Sequence, residues 1–195
     1  MTDKLYLGAQ ELLEDSFRLA AKVLRSGFRP SFIVAIWRGG APIGTAVQEF
    51  LDHFGVKADH IAIRTSSYSG IDGRAPEVRI YGTSYLVKKI EHGDRLLIVD
   101  DVFDTGHTIQ ALIRHLEEAV RRNLPEEIRV AVPYYKPSRN QTAIVPDYFL
   151  HETERWIKFP YSLEGLSRQE IQQHRPEIWE VLKDSVGEEP AEGAG

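Results

Sequence analysis

The 195-residue chain contains no cysteine and only one methionine. The lack of cysteine excludes a disulfide framework, thiolate metal sites and a cysteine nucleophile, and it fits a cytoplasmic protein. No apolar run approaches the roughly 20 residues of a membrane span. The first residues are not followed by the apolar core of a signal peptide. We therefore expect a cytoplasmic protein with no membrane partner.

An excess of positive charge is also missing. Lys and Arg total 24, Asp and Glu total 29, and the net charge is -5, so no global basic field points to nucleic acid. The nucleotide loop G-x-x-x-x-G-K-[ST] is absent, which argues against an NTPase. The length suits one domain. We expect that domain over residues 1–186, followed by a disordered tail rich in Glu, Gly and Ala over residues 187–195.

The stretch 96–108 combines a buried strand, an acidic turn and a helix start. Apolar residues 96–99 run into Asp100 and Asp101, and the residues that follow are turn and cap types. Ligands of open α/β sheets bind at the carboxyl ends of parallel strands, and a helix start offers free N–H groups to a phosphate. The acids would then serve sugar hydroxyls, a metal ion or a proton to be moved. The alternative is a βα unit with a solvated acidic turn.

A second unit of this kind comes earlier in the chain. The apolar stretch 32–36 leads into Trp37-Arg38-Gly39-Gly40, and apolar residues then continue at helical spacing. A second anion site is expected here, since Arg38 places a permanent cation in a glycine turn before a helix. The alternative is an ordinary turn with a solvated Arg.

The remaining elements complete an α/β pattern. The apolar stripe Leu12, Leu13, Phe17, Ala20, Val23 and Leu24 predicts a helix over residues 9–26. Further strands are expected at 59–64, 77–81 and 128–132, and a C-terminal helix at 169–183, interrupted by Pro176. The polar connection 65–82 is of a length that is usually functional or disordered.

The stretch 96–108 resembles the signature of the type I phosphoribosyltransferases, which bind phosphoribosyl pyrophosphate (PRPP). The resemblance implies an α/β fold with a central, mainly parallel sheet flanked by helices. It also implies a small hood, formed here by the N-terminal and 146–165 segments. Asp100 and Asp101 would face the ribose hydroxyls. The 5′-phosphate would be held by the loop Asp104, Thr105, Gly106, His107 and Thr108, with His107 contributing only its backbone N–H.

The turn Arg38, Gly39 and Gly40 resembles the pyrophosphate loop of purine phosphoribosyltransferases, above all the xanthine-guanine enzymes. In that family the loop often contains a cis peptide, which would fall at Trp37-Arg38 or Arg38-Gly39. The position of segment 65–82 is similar to the family's mobile loop, in which Ser67 and Tyr68 would close over the reaction centre. A plain mobile hairpin is the alternative. The resemblance covers about Phe32 to Glu164 and leaves the first helix and the C-terminal extension outside.

The base site follows from the same resemblance. Lys136 stands where 6-oxopurine enzymes have a Lys that donates to the purine oxygen. Trp156 would stack on the base, and the Ile157 backbone would read its edge. From the residues alone, a solvated Lys and a core aromatic remain alternatives.

The family also implies Mg²⁺, which Asp100 and Asp101 would reach through water. It makes Asp104 the acid near purine N7, which would either take the proton or only orient the base. The family often has an Asp after the base-stacking strand, near the second metal, whereas this chain has Ser162 and Glu164 there. Either Glu164 takes that role at the second metal or the contact is absent.

The implied activity is purine salvage. The phosphoribosyl group of PRPP would pass to hypoxanthine, guanine or xanthine, giving the nucleoside monophosphate and pyrophosphate. PRPP and a purine base are then the expected partners, with a homo-oligomer, dimer or tetramer, and no nucleic acid. Two alternatives stay open: a PRPP-binding regulator, and a phosphoribosyltransferase for another base.

Overall fold

The computed structural model describes residues 3–68 and 77–184, with the backbone alone at 67, 68 and 77. Its strands are β1 (Lys4–Tyr6), β2 (Phe32–Trp37), β3 (Asp59–Tyr68), β4 (Glu77–Tyr81), β5 (Arg95–Val99), β6 (Val102–Phe103), β7 (Glu127–Ala131), β8 (Tyr134–Tyr135), β9 (His151–Glu152) and β10 (Trp156–Lys158). Its helices are α1 (Ala9–Arg25), α2 (Gly40–His53), α3 (Ser84–Lys89), α4 (His107–Val120), α5 (Arg168–His174) and α6 (Pro176–Lys183). No helix within the described ranges is long and apolar enough to cross a membrane.

A five-stranded sheet in the order β4-β3-β2-β5-β7 forms the centre of the fold. All its pairings are parallel except that of β3 with β4. Ile33, Leu97 and Val99 face one core, which they share with α1 and α2. The alternate residues Val34 and Ile98 face a second core, which they share with α3 and α4. The expected α/β fold with a mainly parallel sheet is confirmed, and burial on both faces explains why β2 and β5 are continuously apolar.

Helix α1 corrects one detail of the predicted apolar stripe. Leu13 and Phe17 belong to that stripe, yet they are 44% and 38% exposed. The buried face instead includes Asp15 and Ser16. The Ser16 hydroxyl donates to the carbonyl of Leu12, 2.7 Å away, and Asp15 Oδ2 lies 2.7 Å from His151 Nε2. Because these polar groups have partners, they are tolerated in the core.

The polar segment 65–82 is more regular than its composition suggested. Strand β3 continues to Tyr68, and residues 64–68 pair with β4 in antiparallel register. Ser67 and Tyr68 therefore lie in the hairpin, opposite Val78 and Glu77. Polar residues suit this position because β4 is the edge of the sheet. The tip of the expected mobile loop, residues 69–76, and the expected disordered tail lie outside the described residues.

Smaller elements cover one end of the sheet. Strands β6, β8 and β9 form a three-stranded sheet, and β1 pairs in parallel with β10. The two segments assigned to the hood therefore meet in one two-stranded unit. Helices α5 and α6 follow, with Pro176 as the first residue of α6, so the expected interruption of the C-terminal helix is confirmed.

Candidate active site

The residues singled out in the sequence follow strands that end at one edge of the structure. The Arg38–Gly40 turn follows β2, Asp100 and Asp101 follow β5, and Lys136 follows β8. Because β2 and β5 are neighbouring parallel strands, their carboxyl ends lie side by side. This is where open α/β sheets bind ligands.

The acidic pair after β5 is tightly folded. The Asp101 N–H donates to Asp100 Oδ1 over 2.9 Å. Burial raises the pKa of Asp100 well above its usual value, and the charge of Asp101 adds to the shift. Burial also raises the pKa of Asp101, although the hydrogen bond from Tyr161 opposes the shift. The raised pKa values mean that the pair resists carrying two negative charges, which hydroxyl donors or a cation would stabilise.

The Arg38–Gly40 turn packs directly against this pair. A Cβ added at Gly39 would lie 1.7 Å from Asp101 Oδ2, and one at Gly40 would lie 2.5 Å from the carbonyl oxygen of Val99. Only glycine fits positions with such close neighbours. The two adjacent glycines are therefore required for the turn to approach the acidic pair. The Trp37-Arg38 peptide bond is cis, at one of the two positions that the resemblance implied.

The loop before α4 has the geometry of an anion site. Gly106 has φ +81°, a conformation that residues with a Cβ rarely adopt, and it turns the chain into α4. The Gln141 N–H donates to the carbonyl of Thr105 over 3.0 Å, and Gln141 Oε1 lies 2.9 Å from His107 Nε2. Segment 140–142 therefore supports the loop, while the start of α4 supplies the free N–H groups and positive dipole that suit a phosphate.

Lys136 and Asp104 lie side by side. Lys136 is 3% exposed, and its Nζ lies 3.6 Å from Asp104 Oδ2. Arg139 Nε lies 2.7 Å from Asp104 Oδ1, at ion-pair distance but outside hydrogen-bond geometry. The Lys136 N–H donates to the carbonyl of Phe103, which ties this segment to the 104–108 loop. The reading of Lys136 as a solvated surface residue is therefore wrong.

Trp156 on strand β10 also lies close to Lys136. Lys136 Nζ lies 5.7 Å from the centroid of the Trp156 ring, within cation–π range. Ile157 packs against the core, so its side chain is not available to a ligand. The N–H of Trp156 and the carbonyl of Lys158 both bond to residues of the N-terminal segment. Strand alternation then directs the N–H and C=O of Ile157 to the opposite, free edge.

A cleft of about 950 Å³ joins the Arg38–Gly40 turn, Asp101 and β10. Tyr161, to which the sequence analysis gave no role, closes one side of it. Its hydroxyl is 3.1 Å from the carbonyl oxygen of Gly39 and 3.0 Å from Asp101 Oδ2, so it links the turn to the acidic pair. Burial, then the charge of Asp101, raises the pKa of this hydroxyl, which stays a neutral donor. Arg139 and Lys158 were missed as well, because a lone cation in a sequence carries no signal of what it faces.

The carboxylates of the cleft are the possible ligands of Mg²⁺. No group of three or more acidic or imidazole side chains converges within residues 3–68 and 77–184. Mg²⁺ bound through substrate phosphates needs only one or two carboxylates, and Asp100 and Asp101 supply them. Glu164 instead lies 3.5 Å from Arg38 through its Oε2 atom, so the structure does not group it with the acidic pair.

Comparison with known proteins agrees with this geometry. The phosphoribosyl transferase domain model matches residues 6–168. The match includes α1, so the expectation that the first helix lies outside the resemblance is wrong. A hypoxanthine/guanine phosphoribosyltransferase of Methanothermococcus okinawensis is 30% identical over 123 residues, or 61% of this chain and 62% of the relative. The alignments span 38% to 65% of the lengths of such curated relatives.

Solved structures extend the likeness to the fold. A purine phosphoribosyltransferase from Pyrococcus horikoshii has a TM-score of 0.64 and 29% identity, over 85% of this chain and 97% of that one. A xanthine-guanine-hypoxanthine phosphoribosyltransferase from Helicobacter pylori also has a TM-score of 0.64, at 18% identity, over 93% of this chain and 99% of that one. The second likeness concerns the fold alone. Together with the matched domain, these findings show that the chain belongs to the phosphoribosyl transferase domain family.

Proposed function

We propose that this chain transfers the phosphoribosyl group of PRPP to a 6-oxopurine, releasing pyrophosphate and a nucleoside monophosphate. One observation carries the proposal. The glycine turn after β2 and the acidic pair after β5 touch, since a Cβ on Gly39 would overlap Asp101. A pyrophosphate on the turn and a ribose on the acids would therefore be held next to each other, as they are in PRPP.

In this assignment the groups of PRPP are divided among three parts of the site. The backbone and hydroxyls of Asp104, Thr105, Gly106, His107 and Thr108 hold the 5′-phosphate, supported by the dipole of α4. Asp100 and Asp101 accept hydrogen bonds from the ribose hydroxyls. Arg38, Gly39 and Gly40 hold the pyrophosphate.

The base site lies on the side of Lys136 and β10. Trp156 stacks on the purine, and the outward backbone groups of Ile157 read its edge. Lys136 donates to the 6-oxo group. A donor at C6 selects an oxygen over an amino group, so adenine is disfavoured.

Mg²⁺ is part of this proposal, with Asp100 and Asp101 as the residues that would hold it through water. When bound, it neutralises the charge of the leaving pyrophosphate. Glu164 would bind a second metal ion only if its side chain moved away from Arg38.

The reaction breaks the bond from the sugar C1 to the pyrophosphate oxygen, which keeps the electron pair, and forms a bond from C1 to a purine nitrogen. The purine must lose a proton as it attacks, and in this proposal Asp104 accepts it. The position of Asp104 beside the Lys136 ammonium, which orients the same base, supports this role. The β3–β4 hairpin, with Ser67 and Tyr68, would exclude water, since hydrolysis is the competing loss of PRPP.

Some features of the protein as a whole also belong to the proposal. They are a single domain over residues 1–186, a homo-oligomer and a cytoplasmic location. The oligomeric state is open to measurement by light scattering in solution.

The activity is tested by offering PRPP and Mg²⁺ with a panel of bases and measuring pyrophosphate release. Hypoxanthine, guanine or xanthine should support turnover, whereas adenine, orotate and uracil should not. Turnover only with another base would show that the Lys136 assignment is wrong. PRPP binding without turnover on any base would favour the alternative function of a PRPP-binding regulator.

A further inference from the structure

A second lysine faces the base site. Trp156 and Lys158 are two residues apart on β10, so their side chains lie on the same face of the strand. Lys158 lines the cleft beside Trp156, and its Nζ lies 6.0 Å from the centroid of that ring. The ammonium groups of Lys136 and Lys158 therefore approach one aromatic platform from two different elements.

Within residues 3–68 and 77–184, no acid balances the charge of Lys158. Lys158 is only 7% exposed, and its Nζ donates to the carbonyl oxygen of Glu164 over 2.8 Å. In the described part of the chain it forms no ion pair, whereas Lys136 has Asp104 beside it. Buried ammonium groups are rarely left without a counter-charge, and three donors cannot be satisfied by one carbonyl. The remaining donors are therefore available to a ligand that offers oxygen.

We propose that Lys158 recognises the substituent at C2 of the purine and makes xanthine the preferred base over guanine. This inference rests on the proposed function. Xanthine carries oxygen at both C6 and C2, so each ammonium would have its own acceptor. Guanine carries an amino donor at C2, which cannot accept from an ammonium and would leave it unpaired. Xanthine also loses a ring proton more readily than guanine, and two cations favour the resulting anion.

The test compares three bases in the wild-type protein, in Lys158→Met and in Lys136→Met. Lys183→Met is the matched control, because Lys183 is an exposed lysine at the end of α6 that pairs with Glu180. Initial rates with saturating PRPP and Mg²⁺ give kcat/KM for xanthine, guanine and hypoxanthine. Wild type should favour xanthine over guanine. Lys158→Met should lower kcat/KM for xanthine about ten- to a hundredfold, the size of a lost charge-assisted hydrogen bond, and leave hypoxanthine nearly unchanged. Lys136→Met should weaken all three bases.

Two results of this kinetic comparison would overturn the inference. One is a wild type that does not favour xanthine over guanine. The other is a Lys158→Met variant in which kcat/KM falls to the same extent for all three bases, because Lys158 would then only shape the 159–165 loop. A loss of pyrophosphate affinity of the same size would likewise show that Lys158 binds the leaving group. Thermal unfolding checks that each variant is folded, and Lys158→Gln replaces Lys158→Met if the latter is not.

Calorimetric titration of the wild type with xanthosine and guanosine monophosphates separates this inference from the proposed function. Tighter binding of xanthosine monophosphate supports the role of Lys158 even if turnover fails. Equal binding overturns that role even if turnover is found.

Discussion

At the scale of single residues, Asp104 is the proposed acceptor of the purine proton. Its carboxylate lies 3.6 Å from Lys136 Nζ and 2.7 Å from Arg139 Nε, so it sits among the groups assigned to the base. Asp104→Asn keeps the shape of the side chain but cannot accept a proton. Turnover should fall by about 10²–10⁴-fold, the usual contribution of general acid–base catalysis, while PRPP affinity stays largely intact.

Steady-state rates and PRPP titration measure the two effects separately. Asp52→Asn is the control, since Asp52 is in an exposed ion pair with Lys57. Unchanged turnover in Asp104→Asn would remove Asp104 as the base. Loss of PRPP binding would show instead that Asp104 is a structural part of the phosphate loop.

Gly39 carries the contact between the turn and the acidic pair. A methyl group there would overlap Asp101 Oδ2 at 1.7 Å, so Gly39→Ala must displace either the turn or the carboxylate. We expect the free energy of unfolding to fall by about 1–3 kcal/mol, the usual effect of overpacking, and pyrophosphate to bind more weakly. Chemical denaturation and calorimetry measure these quantities.

Gly93→Ala is the matched control, because a Cβ at Gly93 meets no heavy atom within 4 Å. If Gly39→Ala were as stable as Gly93→Ala and bound pyrophosphate as wild type does, the turn would not need its close approach to Asp101.

At the scale of elements, the C-terminal helices support β10 and its partner strand β1. Glu170 on α5 accepts hydrogen bonds from Lys4 and Tyr6 on β1, and Arg175 donates to the carbonyl of Lys158 over 3.0 Å. Since β1 pairs with β10, these contacts hold the strand that carries Trp156. The C-terminal helices therefore support the strand that carries Trp156.

The pKa of Glu170 gives this docking a pH dependence. The hydrogen bond from Lys4, together with those from Ser167 and Tyr6, lowers that pKa from 4.5 to about 2. A depressed folded-state pKa means that the stabilisation is complete above about 4.5 and is lost as the pH falls towards 2. The melting temperature of wild type should therefore exceed that of Glu170→Gln at neutral pH, and the difference should shrink across this interval.

Thermal unfolding of both proteins over a pH series measures this difference. Glu180→Gln on α6 is the control, as an exposed acid paired with Lys183. A difference between wild type and Glu170→Gln that did not change between pH 5 and pH 2 would show that the charge of Glu170 does not hold the helix.

At the scale of the whole molecule, the sequence predicted the βα units and not the contacts between them. The units after β2 and β5 were predictable because four or more apolar residues run straight into turn residues and then change to helical spacing. The two-residue strands β6, β8 and β9 are too short to show any periodicity. A hairpin with its returning strand at residues 77–81 was among the expectations, whereas the extension of β3 over residues 65–68 was missed, because the edge of a sheet tolerates polar residues.

The predicted parts of the site lie in local motifs, whereas the missed parts depend on contacts between residues far apart in the chain. Local motifs gave the turn, the acidic pair and the phosphate loop. Tyr161 reaches Gly39 and Asp101 from far along the chain, and no local pattern encodes such a contact. The counter-charge of Lys136, and the lack of one at Lys158 among the described residues, are also visible only in the folded chain.

In the proposed site, two separate loops hold opposite ends of PRPP. Calorimetric titration of PRPP, pyrophosphate and a nucleoside monophosphate at fixed Mg²⁺ distinguishes the two loops. Arg38→Ala should weaken PRPP and pyrophosphate about ten- to a hundredfold, as expected for a lost charge-assisted contact, and leave the monophosphate nearly unchanged. Thr105→Val with Thr108→Val should weaken PRPP and the monophosphate but spare pyrophosphate. If Arg38→Ala weakened the monophosphate as much as PRPP, the assignment of the two loops would be wrong.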